Sequence, residues 1–221
     1  FAGYSTMAVG LARLLGYEVP KNFDFPLLAT NPIEYRRGWH ITMGPWFRDY
    51  FYQPLGGDRR GEWRTAFNSM LTWMAFGLWH GASWTFVLWG ALNGLLLVAY
   101  RFLKHRGWLF PRGRVSTVFG LASMALFLSL STIAFRAPSV DSAFAMYRRI
   151  ATWQDGPLAI SPLWFLTLAV LYAVHWLNRR FQTEGALARV GWPARVAFIT
   201  LMVTALSLGA GSGEPFYYFQ F

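Results

Sequence analysis

Four long apolar runs interrupt the polar background of the sequence, over residues 84–103, 115–135, 158–177 and 196–213. A bilayer core about 30 Å thick is crossed by about 20 residues of helix, so each run predicts a span. The second holds 21 residues without a formal charge. The third carries Pro162 near its start and His175 near its end, and Gly209, Gly211 and Gly213 loosen the exit of the fourth. A fifth, partial segment covers residues 1–17, interrupted by Arg13. The predicted fold is all-α: a polytopic transmembrane helical bundle with interfacial helices.

Charge between the runs sets an orientation. Residues 101–114 carry five Lys or Arg and no acid, 136–157 three basic and two acidic residues, and 178–195 four basic and one acidic. Positively charged loops stay on the cytoplasmic side, which puts the first and third loops inside and the second loop and C-terminus outside. Residues 36–64, with six basic and three acidic residues, fall inside as well. The stretch 65–100 has no Asp, Glu, Lys or Arg and must then enter and leave on one side, as a hairpin.

Two segments read as interfacial. Over residues 141–153, Ala143, Met146, Ile150 and Trp153 recur at helical spacing with Arg148 and Arg149 off that stripe, which predicts an amphipathic surface helix capped by Ser139 or Asp141. Trp39, Met43, Trp46, Phe47 and Tyr50 also follow a helical period, with Gly44-Pro45 expected to kink or restart it.

Composition agrees with the membrane reading. The chain is 55% hydrophobic and 14% charged, against about 25% charged in an ordinary soluble domain. Its net charge of +10 lies between apolar runs, where anionic lipid accounts for it better than nucleic acid. No Cys is present, so disulfides, thiolate metal sites and a cysteine nucleophile are excluded. The chain starts at Phe1, with neither initiator Met nor signal-peptide n-region. The expectation is one membrane-embedded domain over residues 1–221, the later part of a longer protein whose earlier helices are missing, with 35–90 as its catalytic core tract.

That tract holds two Trp-His pairs, Trp39-His40 and Trp79-His80. Along continuous helix His80 lies about 24 Å from Arg64 and about 31 Å from Arg101, deep in a bilayer, with Gly77 and Gly81 beside it. Ionisable residues at that depth point to function. Desolvation favours a neutral imidazole, ready to accept a proton; the alternative is a packed histidine bonded to a carbonyl or hydroxyl. His40 sits at the cytoplasmic edge, where histidines often only face headgroups. His105 reads as solvated and His175 as interfacial. No histidine pair has i, i+3 or i, i+4 spacing and no carboxylate falls within 65–100, so no metal site is expected. Ser69 and Ser83 lack a local acidic orienter for a triad, Asn68 is placed to orient an imidazole or bind substrate, and Gly56-Gly57-Asp58 reads as a turn. These residues suit a base in a two-substrate transfer. Proton translocation competes, but pumps normally carry several intramembrane carboxylates.

The ordered motifs Trp39-His40-Ile41-Thr42, Trp46-Phe47-Arg48-Asp49-Tyr50, Pro54-Leu55-Gly56-Gly57, Gly77-Leu78-Trp79-His80-Gly81-Ala82 and Trp84-Thr85-Phe86 resemble the membrane-bound O-acyltransferase (MBOAT) family. Within it, the pattern is similar to the bacterial branch containing the alginate O-acetylation membrane subunit. Phe1-Ala2-Gly3-Tyr4-Ser5, Met7-Ala8, Asn22-Phe23-Asp24 and the closing Pro215-Phe216-Tyr217-Tyr218-Phe219-Gln220-Phe221 fit that branch too. Two positions depart: Gly38 stands where a second Arg is commoner, and Thr6 where Asp is expected. The resemblance makes His80 the catalytic residue and His40 a second functional position; beside them Trp39 and Trp79 are expected to shape the walls of a tunnel and Asn68 to contact substrate. It implies an acyl group, acetyl in this branch, taken from a cytoplasmic thioester (acetyl-CoA or an acyl carrier) with no bound cofactor. The group crosses the bacterial inner membrane and reaches exopolysaccharide hydroxyls through a periplasmic acetyltransferase partner. D-alanyl transfer to teichoic acid, and an export or scaffold role without chemistry, are the competing readings.

Overall fold

The computed structural model describes residues 1–109, 113–153, 162–181 and 189–209. Among them the regular elements are helical, apart from one isolated antiparallel bridge between Phe23 and Trp39. The order is α1 (Ala2–Leu14), a 3-10 turn (Pro26–Leu28), α2 (Pro32–Gly38), α3 (Met43–Phe47) running into a π turn (Arg48–Tyr52), α4 (Gly61–His80), α5 (Trp84–His105), α6 (Arg114–Arg136), α7 (Val140–Ala151), α8 (Pro162–Phe181) and α9 (Trp192–Gly209). Contacts divide the chain into two compact units, Phe1–Tyr172 and Ala173–Phe221. The motif at residues 215–221 and the middle of the loop after α7 lie outside the described residues.

In the first unit, α4 and α5 form the expected hairpin, and α4 ends at His80 itself. The two helices touch through glycine. A Cβ at Gly77 would collide with the carbonyl oxygen of Phe86, and one at Gly90 with that of Trp73. Gly81 is required by space, because a Cβ there would lie 2.6 Å from the Phe86 ring. Ser83 then caps α5, its hydroxyl accepting from the Thr85 amide at 3.3 Å. At the open end of the hairpin the charges collect: His105 Nδ1 lies 2.9 Å from Glu62, and Arg101 donates to Ser69 Oγ at 3.0 Å.

The tract before the hairpin is organised by α2. Asn31 caps it, accepting from the Glu34 amide at 3.0 Å, and Pro32 occupies the first turn, where no donor is needed. The helix stops at Gly38 because the chain turns at Trp39 and His40, and His40 takes a left-handed φ of +50°. The helical period therefore breaks at Trp39-His40 and not at Gly44-Pro45; Pro45 sits early in α3, where its missing N–H is harmless. The departure at Gly38 has a steric reason, since a Cβ would lie 2.7 Å from the Asp24 carbonyl oxygen.

Ala29, Tyr35 and Met124 form a buried cluster with Trp39, Leu96 and Leu128 against it, joining α2 to α5 and α6. Helix α6 approaches the Thr30 backbone at Gly120. Helix α7 is capped by Ser139, whose hydroxyl accepts from the Ser142 amide at 3.1 Å, and Tyr147 donates to the Leu130 carbonyl at 2.9 Å. Its apolar stripe is divided: Ala143 is fully buried, whereas Met146, Ile150 and Trp153 are exposed. Among the described residues, α5 and α6 are long and apolar enough to cross a membrane, and Trp192–Thr204 within α9 is a shorter apolar stretch. The second unit comprises the end of α8 and α9.

Candidate functional site

The turn at Trp39-His40 brings the first histidine against the end of α4. His40 is 9% exposed, and its ring centroid lies 5.8 Å from Trp79, 6.3 Å from Phe76 and 4.9 Å from Phe1. The His80 ring lies 5.0 Å from Trp79 and 5.3 Å from Phe76. Both imidazoles thus meet the same two aromatic residues, which stack on each other at 6.0 Å. The separation expected between a deep His80 and an edge-lying His40 is closed by the fold.

The surroundings of His80 are otherwise aromatic. Trp89 of α5 stands perpendicular to it at 5.3 Å, Phe135 of α6 at 5.0 Å, and Phe86 at 6.2 Å. Two nitrogens in this cluster are buried without a hydrogen-bond partner, His40 Nδ1 and His80 Nε2. Buried polar atoms are normally paired, so these two nitrogens are candidates for contact with a ligand. His40 also bears backbone strain, since a non-glycine residue at positive φ costs on the order of 1 kcal/mol. Burial holds its imidazole below the ordinary histidine range.

A cavity of about 160 Å³ leads from this cluster. His40, Trp39 and Phe76 line it, together with Arg36, Arg48 and Arg101. His80 is not among the lining residues, and the Phe76 ring touches both it and the cavity. Arg101 bonds Ser69 and lies 4.0 Å from Asp58, and Arg48 is paired with Asp49 at 2.7 Å. Arg36 keeps a buried Nε without a partner. Burial, then Arg101, Arg37 and Arg48, pull its guanidinium below the ordinary value. The cavity lining thus combines aromatic rings and the His40 imidazole with three arginines, one of which has an unpartnered buried nitrogen.

Trp39 stacks on Tyr35 at 5.6 Å and meets Phe23 edge-on at 5.0 Å. Trp79 stands between the two histidines with 48% of its surface exposed. Asn68 is fully buried; its Nδ2 donates to the carbonyls of Leu55 and Gly57 at 3.3 and 3.0 Å, and its Oδ1 has no partner. It fastens the turn in which Gly56 and Gly57 take positive φ. Sequence reasoning missed Phe76 and the three arginines as lining residues. Phe76 was accessible by helical spacing, four residues before His80 on one face of α4; Phe135 arrives from another helix and carries no local signal. Among the described residues no group of three His, Asp or Glu is placed to hold a metal ion.

Residues 1–128 match the sequence profile of MBOAT, the membrane-bound O-acyltransferase family. The chain is 32% identical to a probable alginate O-acetylase AlgI of Azotobacter vinelandii, over 100% of this chain and 52% of that protein. It is 34% identical to a peptidoglycan O-acetyltransferase of Helicobacter pylori (67% of this chain, 28% of that one) and 30% identical to a teichoic acid D-alanyltransferase of Bacillus subtilis (55% and 33%). The chain spans about half the length, or less, of these curated relatives. With a match over more than half of its residues, the chain belongs to the membrane-bound O-acyltransferase family.

Proposed function

We propose that this chain is the catalytic part of a multi-pass O-acyltransferase of the bacterial inner membrane, transferring acetyl from a cytoplasmic thioester toward the hydroxyls of an exopolysaccharide of the alginate kind. The observation that carries the reading is that two imidazoles, each with a buried unpartnered nitrogen, pack on the same Phe76 and Trp79 rings beside a cavity that His40 lines together with Arg36, Arg48 and Arg101. His80 Nε2 takes the proton of an acceptor hydroxyl as its oxygen attacks the thioester carbonyl. The C–O bond forms, the C–S bond breaks, and the leaving thiolate recovers the proton from His80. His40 hydrogen-bonds the acceptor or the developing oxyanion. Trp39 and Trp79 wall the reacting groups, and Asn68 holds the adjoining turn in place through its two carbonyl contacts.

The length of α4 suits a long-armed donor. Arg101 is anchored at Ser69, eleven residues before His80, or about 16 Å along the helix. A phosphopantetheine arm has about thirteen bonds between sulfur and phosphorus, and at about 1.2 Å per bond it also reaches about 16 Å. Its phosphate then meets the arginines while its thioester reaches the histidines. The acetylated product passes to a periplasmic acetyltransferase partner that completes transfer to the polymer.

The test is mass analysis of surface-polysaccharide acetylation in a deletion strain complemented with wild type or His80→Ala. The variant is expected to lower acetylation at least about 100-fold; acetylation at the wild-type level would overturn the assignment. The Bacillus subtilis relative favours a second acyl group, D-alanyl. Purified enzyme that releases thiol from a D-alanyl carrier but not from an acetyl thioester would select it. Loss of polymer export with acetylation intact would instead indicate a scaffold subunit.

A further inference from the structure

A second cavity, of about 300 Å³, opens at the other end of the α4–α5 hairpin; it shares Arg101 with the first, and its other lining residues play no part in the proposed reaction. Trp63, Ala66, Val98 and Phe102 supply its apolar lining, and Glu62, Thr65, Arg101, His105 and Arg106 its polar lining. The acid in that lining, Glu62, is held by His105, whose Nδ1 lies 2.9 Å away. Arg106 lies over the Phe102 ring at 4.7 Å and has no carboxylate partner among the described residues, leaving its donors available. Trp63 is 89% exposed, a costly position for a large ring in water.

We propose that this groove binds an anionic phospholipid, with its headgroup phosphate on Arg106 and an acyl chain along Trp63, Val98 and Phe102. Three observations fix the occupant. The lining combines four apolar residues with Arg101 and Arg106, its acid Glu62 being paired with His105, so an amphiphile gains from both parts; a free anion gains nothing from the apolar part. The groove lies where the charge-free stretch 65–100 meets the basic loop 101–114, the level at which a membrane-bound protein meets headgroups. The surrounding charge is positive, with five Lys or Arg and no acid in that loop, which favours an anionic over a zwitterionic head.

The experiment is native mass spectrometry of the purified protein in detergent, titrated separately with phosphatidylglycerol, phosphatidylcholine and inorganic phosphate. Wild type is expected to retain phosphatidylglycerol several-fold more than phosphatidylcholine. Arg106→Gln should abolish that preference, while Trp63→Ser should lower retention of both lipids and leave the preference in place. Both side chains are exposed, and a melting temperature near wild type verifies that each variant is folded. Equal retention of the two lipids by wild type, an unchanged preference in Arg106→Gln, or displacement of phosphatidylglycerol by equimolar inorganic phosphate would each overturn the proposal.

Discussion

Two histidines forty residues apart acquire a common environment through two rings. Phe76 and Trp79 touch both imidazoles, and the strained turn at His40 is what carries its side chain there. Burial has a measurable consequence at His40. Its imidazole titrates below the ordinary 6.5 in the folded protein, so the unfolded chain binds the proton more readily. The stability this contributes is fully present above about pH 6.5 and is lost as pH falls from there toward the depressed native value. Thermal unfolding followed from pH 7.5 to 5 should show a falling melting temperature, with a shallower slope for His40→Gln. Identical slopes would show that His40 protonation is not linked to folding.

At the scale of elements, the α4–α5 hairpin is the frame of the site, and backbone contact at Gly77 and Gly90 is what closes it. Helix propensity alone favours Ala over Gly by up to about 1 kcal/mol. At Gly10 of α1, where a Cβ meets nothing within 4 Å, Gly10→Ala should be neutral or stabilising. At Gly77 the added carbon meets the Phe86 carbonyl, and overpacking of this kind costs about 1–3 kcal/mol. Gly77→Ala should therefore lower the melting temperature and reduce acyl transfer by displacing His80 one turn away. The opposite signs of the two substitutions, read by thermal unfolding, check the packing argument. The hairpin was legible in the charge-free stretch 65–100, and the cap of α7 in Ser139. The earlier break at Trp39-His40 was not, because local spacing favoured Gly44-Pro45 while tertiary contact with Phe23 and Asn22 decided the turn: Phe23 bridges Trp39 and meets its ring, and the Asn22 carbonyl accepts from the Ile41 amide at 2.9 Å.

At the scale of the first compact unit, the cavity joins residues that the sequence scatters over α2, the π turn, α4 and α5. Its arginines make a prediction separable from the chemistry. Arg36→Gln should raise KM for the thioester donor about tenfold, the worth of a hydrogen bond to a charged group, with a smaller change in kcat. Steady-state kinetics at two salt concentrations checks this, and the variant's KM should depend less on salt. A fall in kcat at constant KM would place Arg36 with the reacting groups instead.

The sequence by itself determined the helical class and the hairpin and made both histidines candidates, because hydrophobic period, charge distribution and motif order are local properties of the chain. It also made Trp39 and Trp79 candidates by their adjacency to those histidines. Only the tertiary structure decided that the two imidazoles share Phe76 and Trp79, that Phe135 of α6 completes the surroundings of His80, and that Arg36, Arg48 and Arg101 line one cavity. Those relations depend on how closely α4 and α5 approach and where the chain turns at His40. Both are set by contacts between residues far apart in sequence, which no local pattern records.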